Sequence, residues 1–502
     1  MRPQQLFATI PHQAPFVNAM GSQMPVVALI FICYGLLRLC LFHPDFFTGV
    51  DLFWHVAYGD YVIEHGALPA GDWLTWTFDG HPYQVTQWLG QVLLALSFSA
   101  GGSFGLTAIT TAAGMATLFF AWRTASLYLH NPLIALCLAL FTVFPTLFLN
   151  VRPQNFGVLA FSVLVWLMAV WFERKERWAL VGMPVVMALW ANLHGSFMVG
   201  VVFIAAVGGG AWLFTLAEMK CKFWASVQAH GPLAIASFAA VFAVLLNPYG
   251  WDAFKYVLEI SQLKTTTSGV ISEWAATSWA THHGSQFFII VFAMVSVLAL
   301  GAKRPCGPLF LGFLGAVYFG LQADRQTMMA VIALVPLFAW AVKNSDFDLK
   351  IERRMVNTVA LWKAALLILA MVWAALAIHK AIAEPFKAEF LATYPVKALD
   401  YLDEHKIEGK LFHNLHHGGY VAYRGRKAFG DGRLDLFGDD FAFGTDNAVN
   451  GKAGWQKFID KYKPDLFLLN NEDVLVEHLL KTNKCQYTYL DKHFSVVRCD
   501  SV

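Results

Sequence analysis

Charge is scarce in this sequence. Asp, Glu, Lys and Arg supply 14% of the 502 residues while 57% are hydrophobic and 15% aromatic, a balance that excludes an ordinary soluble domain and a disordered chain. The 36 basic residues are almost matched by 34 acidic ones, so no nucleic-acid-binding surface is expected. A Cys pair at zinc spacing, a His-Glu-x-x-His run and a calcium loop are all missing, and with them the usual signatures of a metal centre. Glycine-rich phosphate loops are missing too. Gly208-Gly209-Gly210 lies inside an apolar run and suits close helix packing, which argues against a nucleotide-driven pump. No cofactor is expected; a divalent cation is left open.

The residues that are present describe a membrane protein. A spanning helix needs roughly 20 mostly apolar residues, because unpaired backbone groups are too costly in hydrocarbon. Eleven segments qualify: Met24 to Phe42, Phe104 to Trp122, Pro132 to Leu149, Phe156 to Phe172, Trp178 to Leu193, Ser196 to Ala217, Pro232 to Leu246, Phe287 to Leu300, Leu309 to Leu321, Thr327 to Val342 and Ala360 to Ile378. The apolar run Trp88 to Phe98 is either a short further crossing or an interfacial helix, and the parity of the count favours the latter. The first segment lacks a small-x-small cleavage pattern after it and reads as an uncleaved anchor.

Charge distribution then divides the chain. The stretch from Pro385 to Val502 holds 33 of the 70 charged residues in under a quarter of the length. The expected fold is therefore mainly α: a polytopic transmembrane bundle of about 11 to 13 helices over residues 1–384, and a soluble α/β domain over 385–502. In that second part helices are expected at Ala398 to His405, Trp455 to Tyr462 and Val474 to Lys481, with strands at Lys410 to Asn414 and Asp465 to Leu469. Gly418-Gly419-Tyr420 and Gly430 to Asp435 read as a solvated turn network, with acceptor binding or a lid as the alternative.

Basic clusters orient the bundle. Arg174, Lys175 and Arg177, then Lys220 and Lys222, Lys303 and Arg304, and Lys343, Lys350, Arg353 and Arg354 belong on the cytoplasmic side. Two outer loops, 43–86 and 247–286, follow from that, as does an extracytoplasmic C-terminal domain; the expected location is a bacterial inner membrane. The first loop contains no Lys or Arg and six acidic residues. Of the seven cysteines, Cys33, Cys40, Cys137, Cys221 and Cys306 lie in or beside membrane segments. Cys485 and Cys499 flank a turn at Asp491-Lys492-His493, and a hairpin centred on Lys492 sets them opposite one another, so a disulfide is expected in an oxidising compartment.

Several outer residues carry possible chemistry. Asp51 and His55 stand four apart in Asp51-Leu52-Phe53-Trp54-His55 and would share a helix face, where they can take a proton from a hydroxyl. The competing reading makes Asp51 a helix cap and His55 a satisfied interfacial residue. Arg152 and Arg325 are isolated outer cations that suit a phosphate or pyrophosphate, with structural ion pairing or headgroup contact as the alternative. Asn192 and His194 interrupt an apolar pattern beside Gly195, where hydrogen bonding between helices is the competing role. Glu273, Trp54 and His283 are further substrate-binding candidates, and Asp72 is a second possible base.

These motifs together, Asp51 to His55 with Gly59, Ile63, Gly66 and Pro69-Ala70-Gly71-Asp72, then Arg152-Pro153-Gln154, Asn192-Leu193-His194-Gly195 and Asn247-Pro248-Tyr249-Gly250, resemble bacterial polytopic glycosyltransferases of the GT-C superfamily over most of the chain. The resemblance implies inverting sugar transfer on the outer face from a polyprenyl-phosphate-linked donor to an envelope glycan, lipid or protein acceptor. It implies Asp51 as general base assisted by His55, and Arg152, Arg325 and His194 against the donor phosphate. The Asp-Glu pair of some protein mannosyltransferases is absent, since Leu52 follows Asp51. A transporter or flippase of a lipid-linked glycan, and a non-catalytic polysaccharide assembly component, are the alternatives.

Overall fold

The structure is a computed structural model that describes residues 14–40, 51–147, 149–218, 223–260, 262, 272–281, 283–301, 305, 307–345, 392–482 and 484–500. The expected crossing Ala360 to Ile378 lies outside them. The fold is mainly helical. Helices α1 (Ala14–Cys40), α2 (Leu52–His65), α3 (Trp88–Ala125), α4 (Pro132–Val143), α5 (Gln154–Arg174) and α6 (Arg177–Leu193) come first. They are followed by α7 (Phe197–Glu218), α8 (Phe223–Ala243), α9 (Asp252–Ile260), α10 (Gly284–Leu300), α11 (Gly307–Gln322) and α12 (Thr327–Lys343).

Among the described residues, four stretches are long and apolar enough to cross a membrane: Trp88–Ala125, Gln154–Arg174, Phe197–Ala217 and Asp324–Lys343. Six shorter apolar helices accompany them, which makes this a multi-pass membrane protein. The run Trp88 to Phe98 is continuous with the next crossing but bends away from it at Gly101 and Gly102. Gly102 has φ of 55°, a backbone region open to glycine. The first arm of α3 is thereby free to pack along α2, at the mouth of the bundle.

Several buried polar groups inside the bundle bond to backbone carbonyls. The guanidinium of Arg38 donates to the carbonyls of Leu147 and Leu149, the second at 3.0 Å, beyond the end of α4. Thr110, Thr117 and Thr142 each return a hydroxyl to a carbonyl four residues earlier, so their helices cross apolar surroundings without an orphaned donor.

The C-terminal domain begins with α13 (Val396–Glu404) and continues β1 (Leu411–His413), α14 (Leu415–Tyr423), α15 (Leu434–Val449), α16 (Trp455–Tyr462), β2 (Leu466–Asn470), α17 (Val474–Leu480), β3 (Cys485–Leu490) and β4 (Phe494–Cys499). Its four-stranded sheet has the order β1-β2-β4-β3; β1 and β2 are parallel and the other pairs antiparallel. Two expectations need correction. Gly418-Gly419-Tyr420 lies within α14 and is buried, and Asp431 and Arg433 are at most 1% exposed. Both stretches are packed interior rather than solvated turns, because this domain is docked on α2 and on the loop that follows it.

That docking is specific. Ala428 donates to the Leu74 carbonyl at 2.8 Å and accepts from the Trp76 amide at 3.0 Å, a strand-like bridge between loop and domain. Phe53 of α2 packs edge-on against Tyr394 and Tyr420 at 5.0 and 4.8 Å between ring centres, and Phe78 packs against Phe437 and Phe441. Such aromatic pairs add to the apolar area they bury.

Cys485 faces Cys499 across β3 and β4, and the two are joined by a disulfide. In folded, oxidised protein neither thiol should react with an alkylating reagent until a reductant is added. The Cys485→Ser, Cys499→Ser double variant should lose about 2–3 kcal/mol, read as faster hydrogen exchange in the two strands. Alkylation of both cysteines without reductant contradicts this arrangement.

Candidate active site

Asp51 sits at the N-terminal end of α2, where partial positive charge of the helix favours an anion. It does not cap that helix through its side chain. Its carboxylate instead accepts from Trp54 Nε1 at 3.1 Å and pairs with Arg152 Nε at 3.2 Å. Arg152 occupies the turn entering α5, held there by Asn155, whose amide donates to the carbonyls of Asn150 at 2.7 Å and Arg152 at 3.0 Å. Its Nη1 reaches Glu273 Oε1 at 2.9 Å.

Glu273 and Trp274 lie in a 3-10 turn, Ser272–Trp274, in the loop between α9 and α10. The Asp324 amide bonds the Ala275 carbonyl at 2.9 Å and ties this loop to the turn carrying Arg325. The Arg325 guanidinium lies 4.4 Å from the Trp274 ring centre, a cation–π contact that fixes its plane without using its N–H groups. Among the described residues it makes no hydrogen bond or ion pair. The Asp324 carboxylate is turned elsewhere, accepting from the His283 amide at 3.3 Å.

Four charges from four distant parts of the chain therefore converge: Asp51 and Glu273 against Arg152 and Arg325. The cluster is neutral overall and open to solvent, the Asp51 and Arg152 side chains each being 18% exposed and Glu273 33%. Asp51 raises the Arg152 pKa against the pull of burial, and Glu273 adds to it. Burial would push the Glu273 carboxyl up, but Arg152 and Arg325 outweigh it and hold it below its ordinary value. The Glu273 carboxyl is therefore ionised at neutral pH.

The two histidines are neutral. His194, just past α6, is pushed down to about 3 by burial, then by Arg325 and Arg152. Its Nδ1 accepts from the Ser196 amide at 3.1 Å, so its proton sits on Nε2 and is available as a donor. His55 is 3% exposed and also held well below its ordinary value, by burial first and then by Arg152, His194 and Arg433. Its Nδ1 meets the Gln91 amide at 3.2 Å.

Contacts redistribute the other expected roles. It is Trp54, not His55, that hydrogen-bonds Asp51, so Trp54 orients the carboxylate from within the protein rather than lining a sugar pocket. Asn192 is spent on structure, accepting from Trp88 Nε1 at 2.7 Å and donating to the Ala188 carbonyl at 2.8 Å. His283 stands at the start of α10, where its backbone amide bonds the Asp324 carboxylate. Asp72 is fully buried: it accepts from Arg433 Nη1 at 2.6 Å, from the Leu74 and Thr75 amides at 3.3 and 3.2 Å, and from the Thr75 hydroxyl. A carboxylate so occupied has no lone pair facing a substrate, which removes Asp72 as a base.

Gln91 gave no signal in the sequence, and Arg433 and Gly432 stand out there only as part of the Gly430 to Asp435 stretch, expected as a solvated turn network with acceptor binding or a lid as the alternative. Arg433 is 1% exposed and bonds Asp72, both oxygens of Asp431, and the Tyr58 hydroxyl at 2.6 Å. Two residues on, Asp435 accepts from the hydroxyl of Tyr256 of α9. The first loop, the second loop and the C-terminal domain thus share one buried polar network. Removing the cation leaves two buried carboxylates unpaired, so Arg433→Met should cost about 3–5 kcal/mol, seen as a large fall in melting temperature of the detergent-solubilised protein. A melting temperature equal to wild type would show that the network does not hold the parts together.

The fold resembles the crystal structure of ArnT from Cupriavidus metallidurans bound to undecaprenyl phosphate. The TM-score is 0.51 at 12% sequence identity, covering 95% of this chain and 98% of that one. No family model and no curated protein matches the chain. At that identity the likeness shows a shared fold, extending over the membrane bundle and the C-terminal domain alike.

Proposed function

We propose that this protein is a membrane glycosyltransferase of the GT-C type, which moves a sugar from a polyprenyl-phosphate-linked donor to an acceptor hydroxyl on the outer face of the membrane. The observation that carries the reading is the solvent-accessible pairing of Asp51 with Arg152 beside an uncommitted Arg325. The structural neighbour holds undecaprenyl phosphate, which supports a lipid-linked donor of that kind here.

Helix direction supports the outer face. Helix α5 runs from the Arg152 turn to Arg174, and α6 returns from Arg177 to His194. At 1.5 Å per residue, α5 separates the candidate site from the Arg174-Lys175 cluster by about 30 Å, a membrane's hydrocarbon thickness. If the basic loop is cytoplasmic, the site opens outward, as does the C-terminal domain with its disulfide.

In this reading the donor phosphate enters against Arg325 and Arg152, with the His194 Nε2–H as a neutral donor. An acceptor hydroxyl gives its proton to Asp51 while its oxygen attacks the anomeric carbon from the face opposite the phosphate. The bond from that carbon to the phosphate oxygen breaks, and the lipid phosphate leaves with the electron pair. The two guanidiniums oppose the charge that develops on it, the arrangement in which fixed positive charge lowers a barrier most. Arg152 has a second part: phosphate competes with Asp51 for its N–H groups, so donor binding loosens the pair and frees the carboxylate to act as a base.

Asp51→Asn should reduce transfer by about 100-fold or more while undecaprenyl phosphate still binds, measured with the full-length protein in lipid nanodiscs. A transporter or flippase would need no acid there, so unchanged glycan modification in that variant removes the catalytic reading. Arg325→Gln should instead weaken undecaprenyl phosphate binding by about tenfold, the loss of one charge-assisted contact; unaltered affinity would take Arg325 out of the donor site.

A further inference from the structure

The C-terminal domain carries a groove that the candidate active site does not use. It lies between α15 and α16 and has a volume of about 740 Å³, within the range of cavities that hold small ligands. Its floor is aromatic. Phe437 and Phe441 of α15 are buried at the base, while Phe458 and Tyr462 of α16 and Phe78 of the loop between α2 and α3 are half-buried along the sides. The Phe441 ring centre lies 5.3 Å from that of Phe78 and 5.5 Å from that of Tyr462, so the rings form one continuous surface. A Cβ on Gly444 would stand 2.3 Å from the Phe458 ring, which is therefore seated directly on the α15 backbone.

The rim is polar and unpaired. Asp440 of α15 and Lys457, Asp460 and Lys461 of α16 line it and are exposed. Among the described residues none of these four side chains makes a hydrogen bond or ion pair, and neither does the half-buried amide of Asn447. Lys461 Nζ lies 4.8 Å from the Tyr462 ring centre. Solvated charges of this kind would mean little alone; their convergence on an aromatic floor sets a requirement. A carboxylate only accepts and an ammonium only donates, so a ligand that satisfies both helices needs groups that do both, as hydroxyls can. The floor asks for a flat C–H surface, because the negative face of an aromatic ring attracts the positive ends of C–H bonds. Two acids and two bases cancel, which leaves no net charge to select an ion. A hydrocarbon chain would match the floor and waste the rim, whereas a sugar ring matches both.

We infer that this groove is a second carbohydrate site, which binds a ring of an oligosaccharide, and that its occupant is the remote part of a glycan acceptor. The acceptor role rests on the glycosyl-transfer reading; the binding of sugar does not. Helix α15 connects the groove to the acid. A Cβ on Gly432 would stand 2.1 Å from Asp51 Oδ1, so the backbone just before α15 lies against the carboxylate. Asp440 follows eight positions later, no more than about 29 Å away even for an extended chain, and nearer here because most of that segment is helical. An oligosaccharide of several rings spans such a distance. The separation is fixed, because Arg433 beside Gly432 is locked to Asp72 and Asp431. A glycan held in the groove is thereby kept at high local concentration near Asp51.

The test is titration calorimetry on full-length protein in nanodiscs, without donor, using maltohexaose, cellohexaose and chitohexaose, with a Phe-rich peptide as the competing kind of ligand. Wild type should bind at least one of the sugars. Asp440→Ala, at an exposed position where folding is not at stake, should weaken that binding about tenfold. Phe458→Leu, which keeps apolar volume but removes the flat face, should do the same. Both variants should bind undecaprenyl phosphate within about twofold of wild type, and Asp51→Asn should bind the sugar as wild type does. No binding of any of the three sugars, affinity unchanged in Asp440→Ala and Phe458→Leu, or tighter binding of the peptide overturns the inference. If sugar binds in the groove while Asp51→Asn still supports normal glycan modification, the carbohydrate site stands and the glycosyl-transfer reading falls. If no sugar binds and Asp51→Asn is inactive, the reverse holds.

Discussion

The account depends on one ion pair. Asp51 and Arg152 lie a hundred residues apart, on the ends of two different helices, and their side chains meet at 3.2 Å in a place that water reaches. The pair is only partly buried, each side chain 18% exposed, so its stabilising contribution is smaller than that of a fully enclosed pair and it can exchange partners. A carboxylate oriented by Trp54, against a guanidinium that also grips Glu273, is better understood as a resting state. Arrival of a competing anion changes the partners of Arg152 and with them the freedom of Asp51.

That exposed pair is held in register by a buried one. Arg433 joins the C-terminal domain to the first outer loop through Asp72 and Tyr58, while Tyr256 ties the second loop to Asp435. The division of labour follows from dielectric surroundings. Ions withdrawn from water demand full pairing and so fix geometry, whereas those left partly wet can exchange partners. Of the acids in the first loop, Asp51 is of the second kind and Asp72 of the first.

The sequence carried the membrane bundle well, because apolar length and basic loops are local signals. Most helices lie within a few residues of the apolar runs that announced them, and the cross-strand cysteines followed from hairpin symmetry. Asp51, Arg152 and Arg325 stood out because a charge near a membrane boundary needs a reason. What the sequence hid was long-range pairing. Asp72 looked as available as Asp51 until Arg433, 361 positions away, was seen to occupy it. The Gly430 to Asp435 stretch has the composition of a solvated turn, and nothing local reveals that a whole loop from the membrane domain covers it. Asn192 and Trp88 likewise satisfy one another across a distance no motif records.

The most direct measurement is a structure of the full-length protein in nanodiscs with undecaprenyl phosphate added. The account predicts phosphate density within hydrogen-bonding distance of both Arg152 and Arg325, with the Asp51 carboxylate no longer paired to Arg152. Phosphate density instead beside Arg174 and Lys175 at the opposite end of the fifth helix, with the Asp51 pair undisturbed, would contradict it.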